Sequence, residues 1–278
     1  MYEAHFGLNE KPFENTPDPR FFFSNPDHDE ALANLIYAVT ERKGFVLLTG
    51  EVGSGKTLLS RILLSRLGPT ARTAIVTNTH LSPKQLLRTL CQEYDLPTAN
   101  ARDKAEILES FNGFLLQQLA ADRLVVSIID EGQNLAREAL EEIRMLCNLE
   151  TDREKLLQII LMGQPELRRR VSMPDLEQLR QRIALCYHLR PLSAQNVGKY
   201  IDHRLSVAGR RGESLFDEAA TTMIAQYSGG VPRLINAICD CCLVLAYARQ
   251  LTRIDEAIVQ NAVQNHLPME ARPVRQWA

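Results

Sequence analysis

Two kinds of hydrophobic pattern share this chain. Short, continuously apolar runs rich in β-branched residues occur at 44–50 (GFVLLTG), 73–78 (TAIVTN), 123–130 (RLVVSIID), 156–163 (LLQIILMG) and 183–189 (IALCYHL). Between them lie longer segments, such as SPKQLLRTLCQEY and REALEEIRMLCNL, whose apolar positions recur every three or four residues. The runs read as strands buried on both faces and the longer segments as amphipathic helices. Strands that alternate with helices need right-handed crossovers. The pattern therefore predicts an α/β fold, an αβα sandwich around a parallel five-stranded sheet.

After LRPLSAQ at 189–195 the period changes. Only helical spacing continues to His266, with Val231, Leu234, Ile235, Ile238, Cys242 and Leu245 on one face. This predicts a second, small, all-helical domain of about four helices. The N-terminal stretch KPFENTPDPRFFFSNP has four prolines, a density that disfavours helix and predicts an extended arm. Asn25 or Asp27 then caps a helix through HDEALANLIYAVTER. The expected division is an arm at 1–26, an αβα domain at 27–192, a helical domain at 193–267 and a loosely ordered tail at 268–278.

Composition narrows the class without naming a chemistry. The chain has 278 residues, 45% of them hydrophobic and 24% charged, as in ordinary soluble globular proteins. A chain of this size buries roughly three quarters of its unfolded surface and needs no disulfide or metal staple. The net charge of −2 gives no global attraction to nucleic acid or anionic lipid. The N-terminus lacks the basic and apolar regions of a signal peptide, and no apolar run is long enough to span a bilayer. The chain reads as cytoplasmic, without direct membrane insertion. The six cysteines are scattered, and CDCC at 239–242 lies in a helical run with no completing His or CxxC partner. Reduced core thiols are the expectation there.

The segment FVLLTGEVGSGKTLLS at 45–60 carries the first chemistry. Gly50, Glu51, Val52, Gly53, Ser54, Gly55, Lys56, Thr57 and Leu58 follow a strand and open a helix, in the spacing G-x-x-x-x-G-K-[ST]. Glycines let backbone N–H groups curl around phosphate oxygens, and the helix N-terminus favours the anion. Lys56 is expected on the β- and γ-phosphates of ATP or on ADP, and Thr57 on Mg²⁺. Asp130 ends an apolar strand, where a carboxylate is costly unless it serves a cation. Glu131 beside it is placed to polarise an attacking water. Gln164 closes the following strand with an amide that can cap a turn or touch the γ-phosphate or the water. Asn78 closes the second strand and is expected to hydrogen-bond Glu131 and hold it inactive until a partner binds.

With these residues the chain resembles AAA+ ATPases of the general secretion pathway protein A (ExeA) type. The likeness covers about residues 1–267: FGLNEKPFENTPDPRFFF, the helix and phosphate loop after it, IIDEGQNL, GQPEL, LRQRI and GGVPRLIN. Relatives of that family include MSHA-pilus and exosortase-associated ATPases and TniB-type transposition helpers. The resemblance implies that Gln164 is the sensor-1 residue, although Asn or Thr is frequent there. It implies an arginine finger at Arg182, with Arg180 second, and a sensor-2 arginine at Arg233 on a helical lid. Phe23 and His28, with Tyr200 and Ile201, resemble the wall on the adenine side. Longer members continue into a transmembrane helix and a peptidoglycan-binding region. This sequence shows neither, so a naturally short paralogue or a membrane half on another protein is expected.

The leading expectation is an oligomeric ATPase, a homomeric ring or dimer whose hydrolysis switches an unidentified secretion, pilus or export partner. A DNA-bound transposition helper is the alternative. Its only basic clusters are ELRRR at 166–170 and AGRRGE at 208–213, and such runs are usually solvated faces. A signalling or defence ATPase with a separate effector is the third reading. A kinase is disfavoured, because no second substrate motif accompanies the phosphate loop.

Overall fold

Five strands form in the order in which the apolar runs were read: β1 (Phe45–Gly50), β2 (Ala71–Val76), β3 (Leu124–Ile129), β4 (Gln158–Gly163) and β5 (Leu185–Leu189). The structure, a computed structural model, describes residues 1–97, 101 and 103–267. The expected loose tail at 268–278 lies outside these residues. Every strand pair is parallel, and the sheet order is β2-β3-β4-β1-β5. The order explains which runs are fully apolar. β1 and β4 are buried at all six positions and β3 at five of six, whereas β2 and β5 lie at the edges and are partly exposed.

Helices longer than one turn are α1 (Pro26–Thr40), α2 (Lys56–Leu67), α3 (Pro83–Glu93), α4 (Lys104–Ala120), α5 (Arg137–Leu146), α6 (Pro165–Val171), α7 (Ala194–Val207), α8 (Glu218–Ser228), α9 (Pro232–Ala248) and α10 (Glu256–Asn261). Local chemistry sets several starts. Ser82 and Gln85 form a reciprocal capping box on α3, and Asp103, Asp217 and Asp255 cap α4, α8 and α10. Pro26 opens α1, where its missing N–H is no loss.

The chain divides into two compact units. One, Pro26–Gly50 with Leu59–Leu189, holds the whole sheet and one apolar core. Leu86, Leu87, Leu90, Ile107, Phe111 and Ile143 from its helices pack in that core with Phe45, Ile129 and Leu161 from the strands. The other unit joins Met1–Asn25, Glu51–Leu58 and the chain from Arg190 onward. Its core is formed by the helices α7 to α10, as the late helical period predicted, and by a π-helical turn at Ala262–His266.

The N-terminal residues depart from an extended arm. They hold a one-turn helix, Glu3–Phe6, and a 3-10 turn, Pro19–Phe21, capped by Asp18. Tyr2, Phe6, Leu8, Phe13 and Phe21 are buried in one core with α7 to α10. Periodicity could not show this, because the aromatics follow neither a helical nor a strand period. Cys239 and Cys242 are fully buried in the same core, and burial pushes both thiols up. Cys186 is exposed.

Candidate functional site

β1 ends at Gly50, and the chain runs directly through a glycine-rich loop into α2 at Lys56. Gly53 and Gly55 have φ of 78° and 100°, in the left-handed region that glycine enters without a Cβ penalty. At Gly53 space is a second constraint. A Cβ there would lie 2.3 Å from Cβ of Arg233. The loop carbonyl of Gly53 accepts from the Arg233 backbone N–H at 3.3 Å, so the first turn of α9 lies against the glycine-rich loop. Lys56 is buried, and its Nζ donates to the loop carbonyl of Glu51 at 2.9 Å. An ammonium folded back on a loop of this shape provides the donor set that a polyphosphate takes. Thr57 is exposed on the first turn of α2.

The end of the interior strand β3 carries the acidic pair. Asp130 is 5% exposed, extends the β3 ladder by donating its N–H to Val76 O at 2.9 Å, and accepts from Glu131 N at 2.9 Å. A carboxylate buried at a strand end fits a hard cation such as Mg²⁺. Glu131 has φ 53° and ψ 38°, a left-handed conformation uncommon for a residue with a side chain. Such strain persists where neighbours over-determine it. Thr79 Oγ1 donates to Glu131 O at 3.0 Å, and the carboxylate Oε2 accepts from Gln133 Nε2 and from Gln164 Nε2, the latter at 3.4 Å.

This geometry corrects one expectation. Asn78 lies past the end of β2 and is exposed, and its Oδ1 accepts from His80 N at 3.3 Å. The expected bond from Asn78 to Glu131 does not form among the described residues. Thr79 and Gln133 hold Glu131 instead, and neither was singled out from the sequence. The signal for Gln133 was available: it follows the acidic pair by two residues in DEGQ, within reach of a side chain on a single turn. Gln164 does reach the Glu131 carboxylate, and its backbone N–H donates to Gln133 Oε1 at 3.1 Å.

The remaining residues are placed as follows. Arg182 and Arg180 are both exposed, with Arg180 Nη1 donating to Ser172 O at 3.4 Å. Arg233 is exposed one residue into α9. Phe23 packs edge-on against Tyr200, with ring centroids 5.8 Å apart, and against His203 at 5.6 Å. Burial, with Arg204 beside it, holds the His203 imidazole below its ordinary value. Tyr200 is buried and donates to Asn236 Oδ1 at 2.9 Å. Ile201 is fully covered by the helical core. His28 is buried on the first turn of α1.

Residues 39–171 match the AAA domain family. The general secretion pathway protein A of Aeromonas hydrophila is 45% identical over 249 residues, covering 90% of this chain. The chain spans 45% of that relative's length. Solved structures with the same fold include the Aeropyrum pernix ORC2 protein, with TM-score 0.68, 17% identity, 92% of this chain and 72% of that one. Cdc6p from Pyrobaculum aerophilum matches with TM-score 0.68 and 16% identity over 90% of this chain and 71% of its own. The RuvB branch-migration motor of Thermotoga maritima matches with TM-score 0.58 and 19% identity, over 87% and 70% of the two chains. At these identities the structures speak for the fold alone, and the family assignment rests on the sequence kinship. This chain belongs to the AAA+ P-loop proteins, in the branch of general secretion pathway protein A.

Proposed function

We propose that the chain binds ATP with Mg²⁺ and hydrolyses it as an oligomer, a ring or a dimer, to switch a partner in the assembly of a secretion, pilus or export apparatus. The backbone amides of 51–57 and Lys56 hold the β- and γ-phosphates. Thr57 and Asp130 hold the Mg²⁺, which neutralises charge on the phosphates. Glu131 orients the attacking water and takes its proton, and Gln164 contacts Glu131 and the water or γ-phosphate. Arg182 of a neighbouring copy neutralises charge that develops on the γ-phosphate, an effect worth roughly a thousandfold or more where it is known. Phe23, Tyr200 and His28 contribute the adenine side. Asn78 has no assigned bond to Glu131 in this scheme.

The observation that carries the reading is the contact of Arg233 with Gly53. The start of α9 touches the loop on which the phosphates are held, within one compact unit, so a change at the phosphates has a direct route to the helices of that unit. Fit at the acidic pair supports the hydrolytic step. The kinship to general secretion pathway protein A supports the assembly role. Among the described residues no helix is long and apolar enough to cross a membrane.

The test is the hydrolysis rate per subunit against protein concentration, with and without duplex DNA, and with Glu131→Gln as the blank. A rate that rises with concentration and ignores DNA is expected. Loss of that concentration dependence in Arg182→Ala, restored by mixing with Lys56→Ala subunits, would place the arginine in trans. Strong DNA stimulation that disappears at high salt would replace the assembly role with a DNA-bound one.

A further inference from the structure

We infer that Gln133 is a positioning residue for hydrolysis: its side-chain amide fixes the orientation of the Glu131 carboxylate. The inference rests on the hydrolytic reading above. Gln133 belongs to the 3-10 turn Gly132–Asn134 that follows the acidic pair, where a glutamine would ordinarily be solvated. Here both ends of its amide are engaged. Nε2 donates to Glu131 Oε2, and Oε1 accepts from Gln164 N at 3.1 Å. The two contacts fix which way the amide faces, because a flipped amide would set oxygen against carboxylate and NH₂ against N–H. The turn itself is tied down by Arg170, whose Nη1 donates to Gln133 O at 2.9 Å.

Space for this amide is also reserved. A Cβ at Gly163 would come within 2.7 Å of Gln133 Oε1, and a Cβ at Gly132 within 2.7 Å of Leu161 Cδ1. Both backbones approach too closely for any larger residue without movement. The amides of Gln133 and Gln164 converge on Oε2, and among the described residues Oε1 of Glu131 accepts no hydrogen bond. One oxygen is thereby anchored while the other remains to take a proton from water. Gln133 does this without touching substrate, and it links the carboxylate to the start of α6 through Gln164.

The test compares kcat, KM and the affinity for a fluorescent ATP analogue in the full chain and in Gln133→Glu and Gln133→Met. The first is near-isosteric but replaces the amide donor with a second carboxylate facing Glu131, and the second keeps length without polar atoms. Both are expected to lower kcat about tenfold to a hundredfold, as misplacement of a catalytic group does. For the uncharged Gln133→Met, analogue affinity should stay within about twofold, since uniform binding is untouched. Combined with Glu131→Gln, either substitution should cause no further loss, because its effect runs through that carboxylate. An unchanged kcat, a parallel loss of affinity in Gln133→Met, or an additive loss in the Glu131→Gln background would overturn the inference. A native chain no faster than Glu131→Gln would instead remove the hydrolytic reading, and this inference with it.

Discussion

The two units solve the problem of buried polarity in opposite ways. In the sheet unit β1, β3 and β4 are largely apolar, and the buried carboxylates are Asp130 at the end of β3 and Glu142 on α5, the latter paired with Lys104. In the helical unit a cation lies inside. Arg204 is 6% exposed, and its guanidinium donates to Pro12 O, to Glu14 O at 2.9 Å and to Tyr200 OH at 3.0 Å, over the Phe21 ring at 4.7 Å. Tyr200 passes the chain on to Asn236, whose Nδ2 donates to Asn15 Oδ1 at 3.1 Å. The acceptors on the N-terminal residues are mostly backbone carbonyls. A segment with no regular period has carbonyls to satisfy, and one planar fork of donors serves several. In the sheet the ladders pair the strand backbones, and the buried Gln158 amide serves the flanking loops, accepting from Gly44 N at 2.8 Å and donating to Lys155 O at 3.1 Å.

The comparison predicts where function and stability separate. Glu131→Gln should lower ATP hydrolysis by about two to four orders of magnitude, the range for a lost general base, while the urea midpoint stays near that of the native chain. A large fall in stability would mean that the acidic pair is part of the sheet's framework. Arg204→Leu should do the reverse in kind. It leaves the buried Pro12 carbonyl, the part-buried Glu14 carbonyl and the Tyr200 hydroxyl without their donor and should cost about 3 kcal/mol in urea unfolding, with faster proteolysis at residues 1–25. Tolerance of this change would show that the aromatic contacts alone hold those residues.

A smaller effect is expected from the sheet's own buried polar pair. Tyr94 OH and Ser127 Oγ are 2.9 Å apart, and Ser127→Ala should cost only about 1 kcal/mol because one neutral bond is lost. A cost equal to that of Arg204→Leu would erase the contrast between the units. The smallest effect is a pH dependence. His203 resists protonation in the folded chain, so the unfolded chain binds the extra proton as pH falls below about 6.5. Stability should therefore decline on acidification through that point, and His203→Asn should flatten the decline in melts taken from pH 8 to 5.

How much of this was legible follows from the physics of each pattern. Burial on both faces forces apolar strands, so the sheet and the helical unit were readable from periodicity alone. The glycine-rich loop before Lys56 and Asp130 at the end of an apolar strand stand out as motifs, and the structure places the loop between β1 and α2 and the carboxylate at the end of β3. The edge strands read less well. β2 begins at Ala71 and stops at Val76, which leaves Asn78 beyond the ladder, where its side chain accepts from His80 N instead. Gln133 escaped because a glutamine in a short turn has no period to betray it.

By itself, then, the sequence determined the strands and helices, because burial dictates their periods, and it marked a glycine-rich loop before a lysine and a carboxylate that ends an apolar strand. Only the tertiary structure decided the strand order, the burial of the N-terminal aromatics among α7 to α10, and the company of Glu131. Those depend on side chains far apart in the chain meeting in space. No local pattern encodes such meetings, since each partner alone is also compatible with a solvated surface.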